Sequence, residues 1–214
     1  MLAFHCHPDH DMDRTSLQPY LAASIHVDAG DPDVRATAFH LAGGASSQAD
    51  VVRACFKFVR DQIAHSADFR RNPVTCRASD VLRHRTGFCY AKSHLLAALL
   101  RANGIPAGLC YQRLATGNKE APYCLHGLNA VWLTDFGWYR IDPRGNKPGI
   151  DARFDPPREA LAFSLSDPQE RDLPGILAEP LPLVVEVLER CASIEEVLAG
   201  LPDLAPGPEE RQPA

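Results

Sequence analysis

Residues Thr86 to Tyr111 read TGFCYAKSHLLAALLRANGIPAGLCY, and the fold class turns on them. From Gly87-Phe88 onward the run is long and apolar, with Phe88, Ala91, Leu95, Ala98 or Leu99, and Ala102 recurring at helical spacing. Asn103-Gly104 stops that helix and Pro106 stands just beyond. The period then changes: AGLCYQRL (107–114) reads as a strand. Upstream, DPDVRATAFHLAGG predicts a helix, with Asp31 as cap, Pro32 in the first turn and Gly43-Gly44 as the stop. SSQADVVRACFKFVRDQIAHS predicts another, with Val51, Val52, Cys55, Phe58, Val59 and Ile63 on one face. RASDVLRHRTG offers Ser79 or Asp80 as the cap of a short turn, and Tyr20–Val27 reads as a short strand. Downstream, HGLNAVWL (126–133) and GWYRIDP (137–143) are strands joined around Thr134–Gly137. Helices first and an antiparallel sheet afterwards make the chain α+β.

The chain of 214 residues suffices for one well-buried core. We expect a loose lead-in over 1–19 and a single domain over 20–200, with its core at about 50–146. Twelve of the 18 prolines fall in residues 143–214. That segment cannot form long helices or central strands, so 147–200 is expected to wrap the same core as a tail. Within it only LVVEVLER and SIEEVLAG look helical, the second opened by a capping box of Ser193 and Glu196. Residues 201–214 are expected to be disordered.

Net charge is −5, and the densest basic stretch (Arg70, Arg71, Arg77, Arg83, Arg85) is diluted by Asp68 and Asp80. This argues against a nucleic-acid partner. No apolar run of about 18 residues is present, so no membrane partner is expected. The first residues carry no signal-peptide pattern, and the seven cysteines show no disulfide framework. A reducing cytoplasmic setting is the expectation.

An isolated cysteine at a helix start is as a rule a small buried residue. Cys89, however, sits in the first turn, where free N–H groups and the helix dipole favour an anion, a thiolate included. Gly87 before it is read as leaving room for a substrate above the sulfur. A thiolate nucleophile needs a base, and the base needs a third group to orient it. His126 opens one strand and Asp142 ends the next, sixteen residues on. An odd loop between the strands, Leu133–Asp135 or Trp132–Phe136, sets the two opposite each other on one face. An even loop without a bulge sends them to opposite faces.

These residues resemble a known family. Gly87-Phe88-Cys89 at a helix start, Gly104-Ile105-Pro106-Ala107, a strand with His126, and Trp138 through Asp142-Pro143 occur in the order seen in the transglutaminase-like core of the papain-like cysteine enzymes. The likeness spans roughly residues 20–146. It implies that Cys89 is the nucleophile, His126 the general base and then acid, and Asp142 the residue orienting the imidazole. The Cys89 backbone N–H suits an oxyanion, and a second donor is sought near Tyr111 or at Asn72. Two departures, Gly108 where many members carry arginine and Gly127-Leu128 after the histidine, are expected to bear on substrate preference.

The resemblance implies a thiol hydrolase of amide or peptide bonds acting on a peptide or protein substrate through a thioester. Alternatives are glutamine acyl transfer (cross-linking or deamidation) and a catalytically idle protein-binding member of the fold. No cofactor and no metal are expected. His5, Cys6, His7 and His10 are metal-ligand types, but a zinc site needs a folded scaffold. No HExxH-like helix pair is present to support a zinc hydrolase. His94 is read as a satisfied helix residue, and His65 and His84 show no partners. Cys124 shares the face of His126 if the strand already runs there, and Cys110 is expected nearby. Both are read first as core residues.

Overall fold

Every residue of the helix Cys89–Ala102 up to Arg101 is buried. The sequence stripe placed only one face inward. The difference is that helices cover one side and the sheet covers the other. The structure, a computed structural model, describes residues 14–116 and 122–205. A helical turn (α1, Arg14–Leu17) and a 3-10 turn (Gln18–Tyr20) lead into α2 (Pro32–Ala42) and α3 (Gln48–Gln62). Next come β1 (Ala64–His65), α4 (Ser66–Phe69), α5 (Ala78–His84), β2 (Thr86–Gly87) and α6 (Cys89–Ala102). The strands β3 (Ala107–Ala115), β4 (Tyr123–Leu133) and β5 (Gly137–Ile141) follow. The tail adds β6 (Arg153–Asp155), β7 (Arg158–Ala160), β8 (Arg171–Asp172), α7 (Pro182–Arg190) and α8 (Ile194–Ala199). The α+β expectation holds: the main sheet is antiparallel, in the order β5-β4-β3-β8.

Local chemistry explains most boundaries. The Asp31 carboxylate accepts from the Asp33 and Val34 N–H groups and starts α2, with Pro32 in its first turn. Ser47 caps α3 by accepting from Asp50 N–H. Gly104 at φ +71 ends α6, and the Asn103 amide donates to the Leu99 and Ala38 carbonyls. Leu95, Leu96, Leu99 and Leu100 are fully buried, each contributing about 1.5–3 kcal/mol by leaving water. The buried Asn129 amide donates to the Ser93 and Gly108 carbonyls and ties α6 to the sheet.

Three expectations change. Tyr20–Val27 is not a strand but a 3-10 turn and bends. The outer edge of β3 is already taken by Leu177 and β8, so no edge remains for it. It is held instead by side chains: the Tyr20 hydroxyl donates to the Ile176 carbonyl and its ring packs on Trp138. Second, neither Ser79 nor Asp80 caps α5. Arg77 takes the cap position without a side-chain bond, and Asp28 from the lead-in accepts the Ser79 N–H. Third, Gly108 and Gly127 answer to packing. A Cβ at Gly108 would stand 2.2 Å from Ile176, because the tail lies across β3 through paired Leu109–Leu177 hydrogen bonds. A Cβ at Gly127 would meet the Tyr90 backbone at 3.1 Å, because β4 runs against the first turn of α6.

The proline-rich segment lies against the core through short elements. Its strands are two or three residues long, and β8 lies at the sheet edge. Val184, Val187 and Leu188 of α7, with Ile194 and Val197 of α8, enter the main hydrophobic cluster. Ser193 caps α8, and the Glu196 carboxylate reaches back to the Ala192 N–H.

Candidate active site

Cys89 is the first residue of α6, with Phe88 in extended conformation at the cap. The early N–H groups of a helix lack intrahelical acceptors, so the thiol sits at a cluster of free donors and the positive end of the dipole. Gly87 does not serve as a clearance above the sulfur. A Cβ there would press on Val81, Ala91 and Lys92. Its smallness lets β2 lie against α5 and α6.

His126 is 4% exposed and Asp142 is fully buried. Their strands are joined by an odd, three-residue loop, Thr134 to Phe136, between paired Leu133 and Gly137. Continuing the register from Asn129↔Ile141 sets Leu128, not His126, opposite Asp142. The pair therefore shares a face but sits diagonally, two positions off the direct opposition that the sequence suggested. The reach is still complete: His126 Nε2 donates to Asp142 Oδ2 over 2.7 Å. Asp142 also accepts from the Arg144 N–H at 3.1 Å and, from the tail, the Ala162 N–H at 3.1 Å. Phe163 sets its edge against the imidazole, with ring centroids 4.9 Å apart.

With Nε2 given to Asp142, Nδ1 is left for the thiol, and Cys89 lines the same cavity as His126. Burial alone would depress the histidine, but the Asp142 charge and hydrogen bond outweigh it and push His126 up to about 10. Burial opposes the Asp142 charge too, yet the imidazolium and the donated N–H groups hold its carboxyl below the usual range. His126 and Asp142 are thus brought into hydrogen-bond contact, with Cys89 beside the imidazole.

Cys89 and His126 line a cavity of about 310 Å³. Phe88, Leu114, Leu125, Phe163 and Leu198 supply its apolar wall. Its charged members are already engaged. Arg144 forks onto Asp68 at 2.7 and 3.0 Å, and Glu170 accepts from the Ala115, Ser166 and Asp167 N–H groups. Cys124 lines this cavity on the same face as His126, since β4 already runs at Tyr123. Burial pushes its thiol up to about 12. Cys110 lies apart, packed with Leu128 and Ala130.

Several neighbours escaped the sequence reading. His65 lines the cavity, brought there by the parallel pairing of His65 with Gly87 and packed on Phe88 at 5.1 Å. Burial, then the Arg144 charge, hold it well below its ordinary value. Lys92, one turn beyond Cys89, is fully buried and donates to the Ile63 and Arg60 carbonyls at the end of α3. Burial lowers it to about 7. Arg144 was legible as the residue after Asp142-Pro143, whereas two-residue strands and tail positions left no periodic signal. Neither Tyr111 nor Asn72 lines the cavity. The Tyr111 hydroxyl accepts from Leu181 N–H, and Asn72 Oδ1 accepts from Ile194 N–H. The cluster of His5, Cys6, His7 and His10 lies outside the described residues.

Among solved structures, one from Cytophaga hutchinsonii, named provisionally as a cysteine protease, matches with TM-score 0.50 and 22% identity over 64% of this chain and 45% of that one. The periplasmic domain of TgpA from Pseudomonas aeruginosa matches with TM-score 0.49 and 23% identity over 63% of this chain and 49% of that one. The chain thus spans less than half the length of either, and at these identities the likeness concerns the fold. No curated protein matches the chain. The sequence model of the transglutaminase-like superfamily matches residues 35–143, from α2 to the residue after Asp142. That segment is just over half of the chain and carries Cys89, His126 and Asp142, so this protein belongs to the transglutaminase-like superfamily.

Proposed function

We propose that this protein is a thiol hydrolase of amide or peptide bonds, with Cys89 as nucleophile, His126 as base and acid, and Asp142 as the group orienting His126. One observation carries the reading. The thiol at the N-terminus of α6 shares a cavity of about 310 Å³ with a buried histidine whose far nitrogen is held by a buried carboxylate.

Cys89 Sγ attacks the carbonyl carbon while His126 Nδ1 holds the thiol proton. The oxyanion forms beside the N–H groups opening α6. His126 returns the proton to the leaving amine as the C–N bond breaks, leaving a thioester on Cys89. A water deprotonated by His126 then attacks the thioester, releasing the acid and restoring the thiol. A histidine pushed up to about 10 remains an imidazolium at neutral pH, ready to protonate an amine. The apolar wall and the engaged charges favour a peptide or protein substrate with an uncharged, apolar acyl side chain.

Iodoacetamide labelling with peptide mapping tests the site. Cys89 should react faster than the other six cysteines at neutral pH, and His126→Ala should slow it by at least tenfold. Uniform labelling indifferent to His126 would refute the reading and favour an idle, protein-binding member of the fold. A panel of acyl-peptide, glutamine-peptide and ester substrates, with Cys89→Ala as blank and with and without an added amine, separates hydrolysis from acyl transfer.

A further inference from the structure

A second group of donor side chains lies away from this cavity. His26 Nε2 stands 3.1 Å from Glu189 Oε1, and the donor atoms of His26, Cys76 and Glu189 lie within 4.8 Å of one another. None of the three lines the Cys89 cavity. They come from three distant parts of the chain: the lead-in, the segment before α5, and the end of α7. Their placement is anchored. The His26 carbonyl accepts the Ala78 N–H and Asp28 accepts the Ser79 N–H, so the lead-in is fastened to the start of α5 beside Cys76.

A fourth side chain stands next to them. His94 of α6 is fully buried, and its ring centroid is 6.5 Å from that of His26. Its Nδ1 is bonded at 2.8 Å to the carbonyl of Cys76, while Nε2 is buried with no hydrogen-bond partner. An orphaned buried imidazole nitrogen requires a physical reason. Metal-bound histidines characteristically give one ring N–H to a backbone carbonyl and keep the other nitrogen for the ion. His94 shows the first half of that arrangement, and the carbonyl belongs to Cys76.

We propose that His26, Cys76 and Glu189, backed by the buried imidazole of His94, form a binding site for a zinc-class divalent cation. The donor chemistry selects the class. One thiolate, imidazole nitrogens and a carboxylate suit zinc and its cobalt surrogate, whereas calcium and magnesium call for oxygen ligands. The bound ion would staple the lead-in and α7 to the base of α5, on the far side of α5 and β2 in sequence from the Cys89 turn. The metal-free alternative is a surface His–Glu pair covering a buried thiol.

The test uses the full chain carrying Cys89→Ala together with His5→Ala, His7→Ala and His10→Ala, which removes Cys89 and the N-terminal histidines as competing ligands. Cobalt added to metal-stripped protein should bind at one ion per chain with a sulfur-to-cobalt absorption band, and zinc should displace it. Cys76→Ser should abolish the band. His26→Ala and Glu189→Ala, at partly and fully exposed positions that the fold tolerates, should each weaken zinc binding by at least about tenfold. Zinc should raise the melting temperature only while the cluster is intact. Failure to take up one ion per chain, or uptake unchanged by His26→Ala and Glu189→Ala, would overturn the proposal even if Cys76→Ser does not fold.

Discussion

Asp142 shows how much one side chain governs here. Fully buried, it accepts from His126 Nε2 and from the Arg144 and Ala162 N–H groups. The raised His126 is a base that the folded state favours in its charged form. Its contribution to stability is full below its ordinary value near 6.5 and is lost as pH rises through about 10. Lys92, lowered to about 7, gives a slope of the opposite sign between about 7 and its ordinary 10.5, where the unfolded chain holds the extra proton. Asp142→Asn isolates the first effect. His126 should lose its proton at markedly lower pH, so the alkaline limb of turnover moves down from near pH 10 toward neutrality. Activity across pH, with histidine NMR resonances as a second readout, checks this. An unmoved limb would mean that Asp142 does not set the state of His126. The candidates Cys89, His126 and Asp142 were readable at this scale from short local motifs: Cys89 opens α6, His126 lies within β4 and Asp142 follows β5 directly. His65 and Lys92 were not, since their relevance comes from burial and from neighbours far along the chain.

The contact between α6 and β4 is set by the absence of a side chain. Gly127 lies against Tyr90, and the Tyr90 hydroxyl in turn donates to the Leu125 carbonyl at 2.5 Å. Gly127→Ala would set a methyl 3.1 Å from a backbone atom, and backbone cannot swing aside as a rotamer can. We expect a loss of roughly 1–3 kcal/mol in urea unfolding. Because α6 carries Cys89 and β4 carries His126, activity should fall further than stability alone accounts for. An active, fully stable Gly127→Ala protein would show that the two elements need not touch. The elements themselves were legible wherever the chemistry was local: Asp31-Pro32, Ser193 with Glu196, and the Asn103-Gly104 stop. The lead-in strand and the α5 cap were misread because their partners, Ile176, Trp138 and Asp28, are not sequence neighbours.

For the whole molecule, the tail contributes to the site as well as to the core. It brings Ala162 to Asp142, Phe163 to His126, and Leu198 to the cavity wall. Phe163→Ala should lower turnover by about tenfold while costing roughly 1–3 kcal/mol, less than a fully enclosed phenylalanine because Phe163 is only partly buried. A cavity narrowed by charge at its apolar end makes a sharper test. Leu198→Arg should depress turnover of apolar acyl peptides and improve that of acidic ones, measured as the ratio of kcat/KM values. An unchanged ratio would place the acyl group outside this cavity.

The sequence by itself determined the α+β order, the turn that starts α6, and which residues are candidates for the site at its N-terminal end. Those features follow from caps, periodicity and breakers, which act over a few residues. Only the tertiary structure decided that Asp142 reaches His126 diagonally, that Gly87, Gly108 and Gly127 serve packing, and that the proline-rich tail closes the site. The physical reason is common to all three. Strand register, close backbone approach and buried hydrogen bonds depend on which distant segments meet, and no local pattern records that meeting.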